Sequence, residues 1–277
     1  MAGFPARIKI ATAALIVLVL SCVIGPWLQH DPSSIGDVLS LRFRAPLSMD
    51  ASGAWHLFGT DAFGRDVLAR LLLAGRLSLL VGLAGAVLSG VVGAALGALA
   101  GWRAGWIDVV ITAASDTLQA IPRLVLLLAC AALWRPGIPT LVTVLALTGW
   151  MGVARLVRAE VLGLTQRDFV AAARALGATS ARTLVRHVIP SAIAPALVAT
   201  TLGIGNAILL ESGLSFLGLG VQPPSPSWGN MIAGGREHLV TAPWIALAPG
   251  LAVVITVTAA TLIGDWVQER AAGRIPD

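Results

Sequence analysis

Lysine is almost missing from this chain: Lys9 stands alone among 277 residues. A nucleotide-binding P-loop needs a lysine after its glycine-rich turn to grip phosphates, so the chain cannot hydrolyse ATP through that device. Histidine is sparse as well. His30, His56, His187 and His238 are scattered, and none stands in the H-E-x-x-H spacing that aims two imidazoles at one zinc ion. A serine nucleophile inside the apolar runs would find no histidine there, and no lysine except Lys9 at an edge. The two cysteines, Cys22 and Cys130, both lie within apolar runs, which excludes a disulfide scaffold and argues against a paired thiolate metal site. Charge is also low: 12% of residues are charged against 57% hydrophobic, with a mean hydropathy of +0.86, where a soluble domain carries about 25% charge. The composition argues against an enzyme, a metal site or a bound cofactor, and for a chain that lives in lipid.

What is present is a succession of apolar runs. A crossing of the bilayer takes about 20 residues, and runs of that order fall at residues 8–27, 78–101, 109–133, 140–154, 191–212 and 245–266. They predict an all-α polytopic membrane protein with six transmembrane helices. The first run reads as an uncleaved anchor helix, because no small-residue cleavage site precedes the Gln29-His30-Asp31-Pro32 break. Arg7, Lys9, Arg103, the series from Arg155 to Arg186, Arg270 and Arg274 gather on one side of this map. The opposite side has fewer basic residues and carries acids such as Asp31, Asp37, Asp50, Asp61 and Asp66. An even number of crossings puts both termini on one side, and the basic excess makes that side cytoplasmic. The net charge of +5 and pI of about 10.8 therefore record orientation; they do not indicate a nucleic-acid partner.

Several features of the runs carry expectations. Gly93, Gly97 and Gly101 recur every four residues in the second run, a stripe that lets helices approach backbone to backbone in lipid. Packing within the chain is the reading preferred over a subunit interface. Pro122, Pro190, Pro195, Pro243 and Pro249 each remove a backbone donor, so kinks or loosened turns are expected near them. Ionisable groups within the runs are candidates for a solute pathway. Arg123 lies well inside the third run, where an arginine costs about 2.5 to 3.5 kcal/mol. Asp116 precedes it by seven residues, nearly on the same face and about 10 Å away along the axis, so a water-bridged internal pair and a role toward a substrate carboxylate are both open. Asn206 and Glu211 are five positions apart in the fifth run, hence about 140° apart around a helix, and cannot line one face together. Glu211 is expected at the outer end, solvated or holding the loop that follows.

Residues 166–190, QRDFVAAARALGATSARTLVRHVIP, are too polar to cross yet rich in helix formers. Asp168 to Leu176 reads as a short helix with its acid near the positive N-terminal end. Gly177 stops it, and Thr179 or Ser180 caps a second helix that runs to about Val188 before Pro190 opens the next crossing. Ala171, Ala172 and Ala173 leave a smooth ridge. A helix, a glycine turn and a second helix at the membrane face suit docking to a soluble partner; an amphipathic loop held by anionic headgroups is the other reading.

This segment resembles the cytoplasmic coupling loop of bacterial ABC importer permeases: Ala172, Ala173, Gly177, Ile189 and Pro190 stand at that pattern's positions, with Ala171 where its glutamate falls. Asp168, three residues earlier, is placed to stand in for that acid. Residues 56–83, with GTDAFGRD, residues 105–128, and residues 211–232, with SFLGLGVQPPSPSWG, are similar to further signatures of the dipeptide, oligopeptide and nickel permease family, of its C-type subunit. The resemblance implies the type I importer permease fold, with an anchor and extracytoplasmic segment over 1–75, a transmembrane domain over 76–268 containing the coupling loop 166–190, and a cytoplasmic tail over 269–277. It implies a pathway subunit in the bacterial inner membrane, working with a second, homologous B-type permease, one or two ATPases that use ATP and magnesium, and an extracytoplasmic solute-binding protein. Asp168, Ala171, Ala172, Ala173, Gly177, Ile189 and Pro190 are the expected ATPase-coupling residues. Peptide import is the leading reading and nickel-chelate import the alternative. A secondary transporter or channel would show inverted repeats, discontinuous helices and paired acids at mid-membrane, and a scaffold would not need the loop.

Overall fold

The computed structural model describes residues 5–28, 38–51 and 53–271. Asp31, Asp37, His30, Arg274 and residues 272–277 of the tail expected at 269–277 lie outside them. The described elements are α1 (Ala6–Leu28), α2 (Val38–Leu41), the two-residue strands β1 (Ser48–Met49) and β2 (Trp55–His56), α3 (Val67–Arg103), α4 (Gly105–Ala120), α5 (Arg123–Ala132), α6 (Ile138–Thr165), α7 (Asp168–Ala175), α8 (Ser180–Thr183), α9 (Ile189–Phe216), α10 (Trp228–Gly235) and α11 (Trp244–Ala271). β1 and β2 form a small antiparallel hairpin. Five stretches are long and apolar enough to cross a membrane alone: Ala6–Trp27, Val67–Arg103, Ile138–Thr165, Ser180–Phe216 and Trp244–Arg270. The sixth run is the third in sequence, and it is broken: α4 and α5 meet at 96°.

That break corrects the continuous span expected over 109–133. Ile121 is extended, with φ −85° and ψ 131°, because a proline ring crowds the residue before it out of helical geometry. Pro122 also offers no N–H to continue the ladder. Pro195 and Pro249, by contrast, sit inside α9 and α11 without ending them.

The bundle is organised around α3. Its small residues bring it against α6 on one side and α9 on the other, and the α3–α6 pairing is the most extensive of all. A Cβ on Gly93 would stand 2.5 Å from the carbonyl oxygen of Trp150, and one on Gly97 would overlap the Ala154 carbonyl. Gly82 and Gly90 face the Ile208 and Thr200 side chains of α9 at similarly close range. The glycine stripe is thus an internal packing surface. Ser89 Oγ donates across it to the Leu145 carbonyl at 3.0 Å, one of the interhelical bonds that hold helices together where no hydrophobic effect operates.

α1 lies outside this core against α3 and α11. Pro26 lacks the N–H that the Cys22 carbonyl would otherwise accept, and Arg76 of α3 supplies it: Nε donates to Cys22 O at 2.9 Å and a terminal nitrogen donates to Val23 O at 2.5 Å. Arg7 and Glu269 approach to 4.0 Å, so the start of α1 and the end of α11 lie at one end of the bundle. α3 runs parallel to α11, which brings its C-terminal end and the segment 166–190 to that same end.

Candidate functional site

The segment between α6 and α9 folds into a bracket of short helices. α7 ends in a Schellman turn: Ala178 N–H donates to Ala173 O at 3.1 Å and Gly177 N–H to Arg174 O at 3.0 Å, with Gly177 at φ +84°. Thr179 then caps α8, its side chain accepting from Arg182 N–H at 3.3 Å. The expected second helix does not reach Val188 as a regular α-helix. Residues Leu184–Val188 form a π turn, with Ile189 N–H donating back five residues to Leu184 O. Pro190, in the first turn of α9, has no N–H to give and crowds the carbonyl four residues before it, so the preceding turn widens. Ile189, half-buried, and Pro190, exposed, stand at the junction with α9.

The bracket is fastened from below. Val170 is fully buried among Val157, Val161 and Val188. Trp102, at the end of α3, donates from Nε1 to Ser180 Oγ at 3.0 Å, and the Arg174 guanidinium stacks over its ring at 5.1 Å. Opposite Val170, α7 turns an apolar face outward: Phe169 is 42% and Leu176 88% exposed, with exposed Ala172 between them. Ala171 and Asp168 are exposed beside that face, and Ala173 is half-buried. Asp168 opens α7, where the positive helix end favours it. The sequence reading named the alanine ridge; Phe169, Ala172 and Leu176, spaced i, i+3 and i+7, share one exposed helix face with it.

A second polar region runs between α4 and α6. Asp108, Thr112, Ser115 and Gln119 recur at i, i+4, i+7 and i+11 on α4. Thr112 donates to Asp108 at 3.3 Å and Gln119 to Ser115 Oγ at 2.9 Å. Arg158 of α6 forms a two-pronged pair with Asp108, the second bond at 2.6 Å. Arg155 takes Asp116 at 2.6 Å. This corrects the water-bridged Asp116–Arg123 pair: the break at Pro122 turns the two residues onto differently directed helices, and Asp116 is satisfied from α6 instead. Arg155 and Arg158 also correct the fourth span, which continues past Ala154 to Thr165 because both guanidinium groups are neutralised by α4.

Glu211 is not solvated. It has no exposed surface; Ser215 Oγ donates to it at 2.7 Å and Ser212 Oγ lies at 3.4 Å, with the Ser78 and Ser227 side chains nearby. Ser215 accepts from Val221 N–H, and Ser78 accepts from the buried Trp228 N–H. The carboxyl thus ties α3, α9 and the loop 217–227 together. Asn206 is exposed on another face of α9, as the 140° separation requires. The GTDAFGRD segment is likewise structural: Asp61 holds Arg65 at 2.7 Å, while Asp66 caps α3 through Ala69 N–H and pairs with His56 at 2.8 Å. Among the described residues, no group of three His, Cys, Asp or Glu side chains could hold a metal ion.

With this geometry in view, similarity to known proteins becomes decisive. Residues 93–275 match the family model described as binding-protein-dependent transport system inner membrane component. The chain belongs to this family. It is the transmembrane permease subunit of an ABC importer and a multi-pass protein of the inner membrane, and it is a transport component, not an ATPase. The permease is 39% identical over 261 residues to a putative peptide transport system permease protein of Brucella suis biovar 1, covering 94% of this chain and 86% of that one. A putative peptide permease protein of the same organism is 41% identical over 246 residues, covering 88% and 78%. The dipeptide transport system permease protein DppC of Alkalihalophilus pseudofirmus is 35% identical over 265 residues, covering 94% and 84%. Family membership sets aside the secondary-transporter, channel and scaffold readings.

Proposed function

We propose that the permease imports dipeptides or short oligopeptides, forming half of a pathway whose other half is a homologous permease. The relatives' names favour peptides. In this reading the chain crosses six times with both termini in the cytoplasm, the α4–α5 pair serving as the broken third crossing. Residues 1–75 form the anchor and outer segment, 76–268 the transmembrane domain and 269–277 a tail. Residues 166–190 are the coupling loop on which an ATPase subunit rests, while a solute-binding protein delivers peptide from outside.

One observation carries the coupling assignment: α7 holds Phe169, Ala172 and Leu176 outward while Val170 and Trp102 clamp it to the ends of α6 and α3. An exposed apolar face on a rigid element suits a groove in a soluble partner. ATP-driven closure of the ATPases then pushes on a lever that cannot flex, because net accumulation requires a cycle biased by an external free-energy source. The test is the double variant Phe169→Glu with Leu176→Glu. Neither side chain is buried in the core, so the variant is expected to insert normally, lose co-purifying ATPase and reduce peptide uptake at least tenfold. Unchanged uptake would sink the assignment.

Trp102→Ala offers a gentler check. It removes a hydrogen bond and an exposed cation–π contact worth about 0.5 to 1 kcal/mol, leaving α7 attached through Val170 alone. The ATPases are expected to remain bound while peptide moved per ATP hydrolysed falls several-fold.

A further inference from the structure

Where α4 breaks from α5, a half-open cavity of about 350 Å³ lies against α6, bordered by Gln119, Pro122, Arg123, Thr148, Gly149 and Gly152. Sites for small molecules typically measure about 300 to 1,000 Å³. Arg123 is the first residue of α5, and its guanidinium lies beside Gly149, where an added Cβ would come within 3.3 Å of a terminal nitrogen. Gly149 follows the start of α6 by eleven residues and precedes its end by sixteen, about 16 and 24 Å along the helix. The charge therefore sits deep in the span.

Its partners are what matter. The α4–α6 groove holds three arginines and two aspartates. Arg158 takes Asp108 and Arg155 takes Asp116. Arg123 has no acidic partner among the described residues, and its Nε is buried without any hydrogen-bond partner. A guanidinium nitrogen left without a partner in lipid is expensive, and the group's planar fork of donors matches a carboxylate. The α5 helix beginning at Arg123 adds the positive end of its dipole at the same place. Gly152 leaves open space on the facing wall, with nothing within 4 Å of an added Cβ, and the polar stripe of α4 leads away from the cavity toward the end of the bundle where α7 lies.

We infer that Arg123 binds the carboxylate of the transported solute, the free C-terminus of a peptide, as it passes the broken third crossing. The inference rests on the peptide reading above. The test uses the complete transporter in proteoliposomes with its binding protein, supplied with a tripeptide whose C-terminal residue is photoreactive and carries a free carboxylate. Illumination during turnover is expected to label residues within 118–126 or 148–152, and Arg123→Met is expected to lower uptake of trialanine at least tenfold with the complex intact. Gly152→Leu, which fills the cavity and leaves Arg123 in place, is expected to reduce both labelling and uptake. Should Arg123→Met fail to assemble, labelling of the unaltered complex and of Gly152→Leu still decides. Labelling elsewhere along the pathway, or full uptake in either variant, overturns the Arg123 assignment and leaves the peptide reading standing. A complex that hydrolyses ATP in response to its binding protein yet moves no peptide overturns both.

Discussion

Gly97→Val is expected to abolish the folded permease. A Cβ at residue 97 would overlap the Ala154 carbonyl oxygen, with the Ala154 Cα and carbonyl carbon both only 3.0 Å away. All three atoms belong to the α6 backbone, so no side chain can rotate to relieve the clash; the helices must separate. Overpacking in a yielding core costs about 1 to 3 kcal/mol, and an unyielding backbone puts this variant at or above the upper end. Separation would also strain the Ser89–Leu145 bond and the neighbouring contact of Gly93 with Trp150. About 3 kcal/mol lowers the folded population ratio more than 100-fold, enough to unfold a marginal membrane subunit. The measurement is the yield of monodisperse protein in detergent and its melting temperature. Gly163→Val is the control, because nothing lies within 4 Å of an added Cβ there. Equal yields from the two variants would show that the α3–α6 approach is not tight.

Glu211→Ala is expected to be the second most damaging single change. Interhelical hydrogen bonds in membranes average only about 0.6 kcal/mol each, so lost bonds alone would be tolerated. The damage comes from what remains: the Ser212 and Ser215 hydroxyls that bonded it, left in a site closed to bulk solvent at about 1 to 3 kcal/mol for each unsatisfied group, and a cavity where the carboxyl stood. A total of about 3 kcal/mol or more is expected. Glu211→Gln keeps the shape and an acceptor oxygen and should lose about 1 kcal/mol. Thermal unfolding in detergent separates the two, and limited proteolysis within 217–227 should rise sharply in the alanine variant alone. If alanine and glutamine are equally mild, the serine cage is not holding the loop.

These residues also mark how far sequence reading reaches. The runs at 8–27, 78–101, 191–212 and 245–266 correspond to real helices because hydropathy is a local quantity, and the helices extend further, as α3 does to Val67, where flanking residues cover buried surface. Gly177 and Thr179 were legible as stop and cap because a Schellman turn and an N-cap depend on neighbours only a few residues away. Pro122 announced a disturbance, and the rule that proline pushes its predecessor into extended geometry explains it; the 96° angle depends on what α5 packs against. The exposed face of α7 was half-visible: the alanines were noticed, and the Phe169 to Leu176 spacing was overlooked in favour of composition.

Charge partners were beyond reach for a different reason. Asp116 and Arg123 are close in sequence and looked like a pair, but Asp116 finds Arg155, 39 positions on, and Arg123 is left facing a cavity. Glu211, near the end of an apolar run, read as either solvated or holding the loop that follows; it is fully buried and, through Ser215, holds the loop 217–227. By itself the scarcity of charge and the succession of apolar runs determined that this chain lives in lipid, since transfer free energies and backbone propensities act residue by residue. Which charges are paired, which is left free and which carboxyl is sealed from water was decided only by tertiary structure, because a long-range electrostatic contact exists only once two distant helices have met.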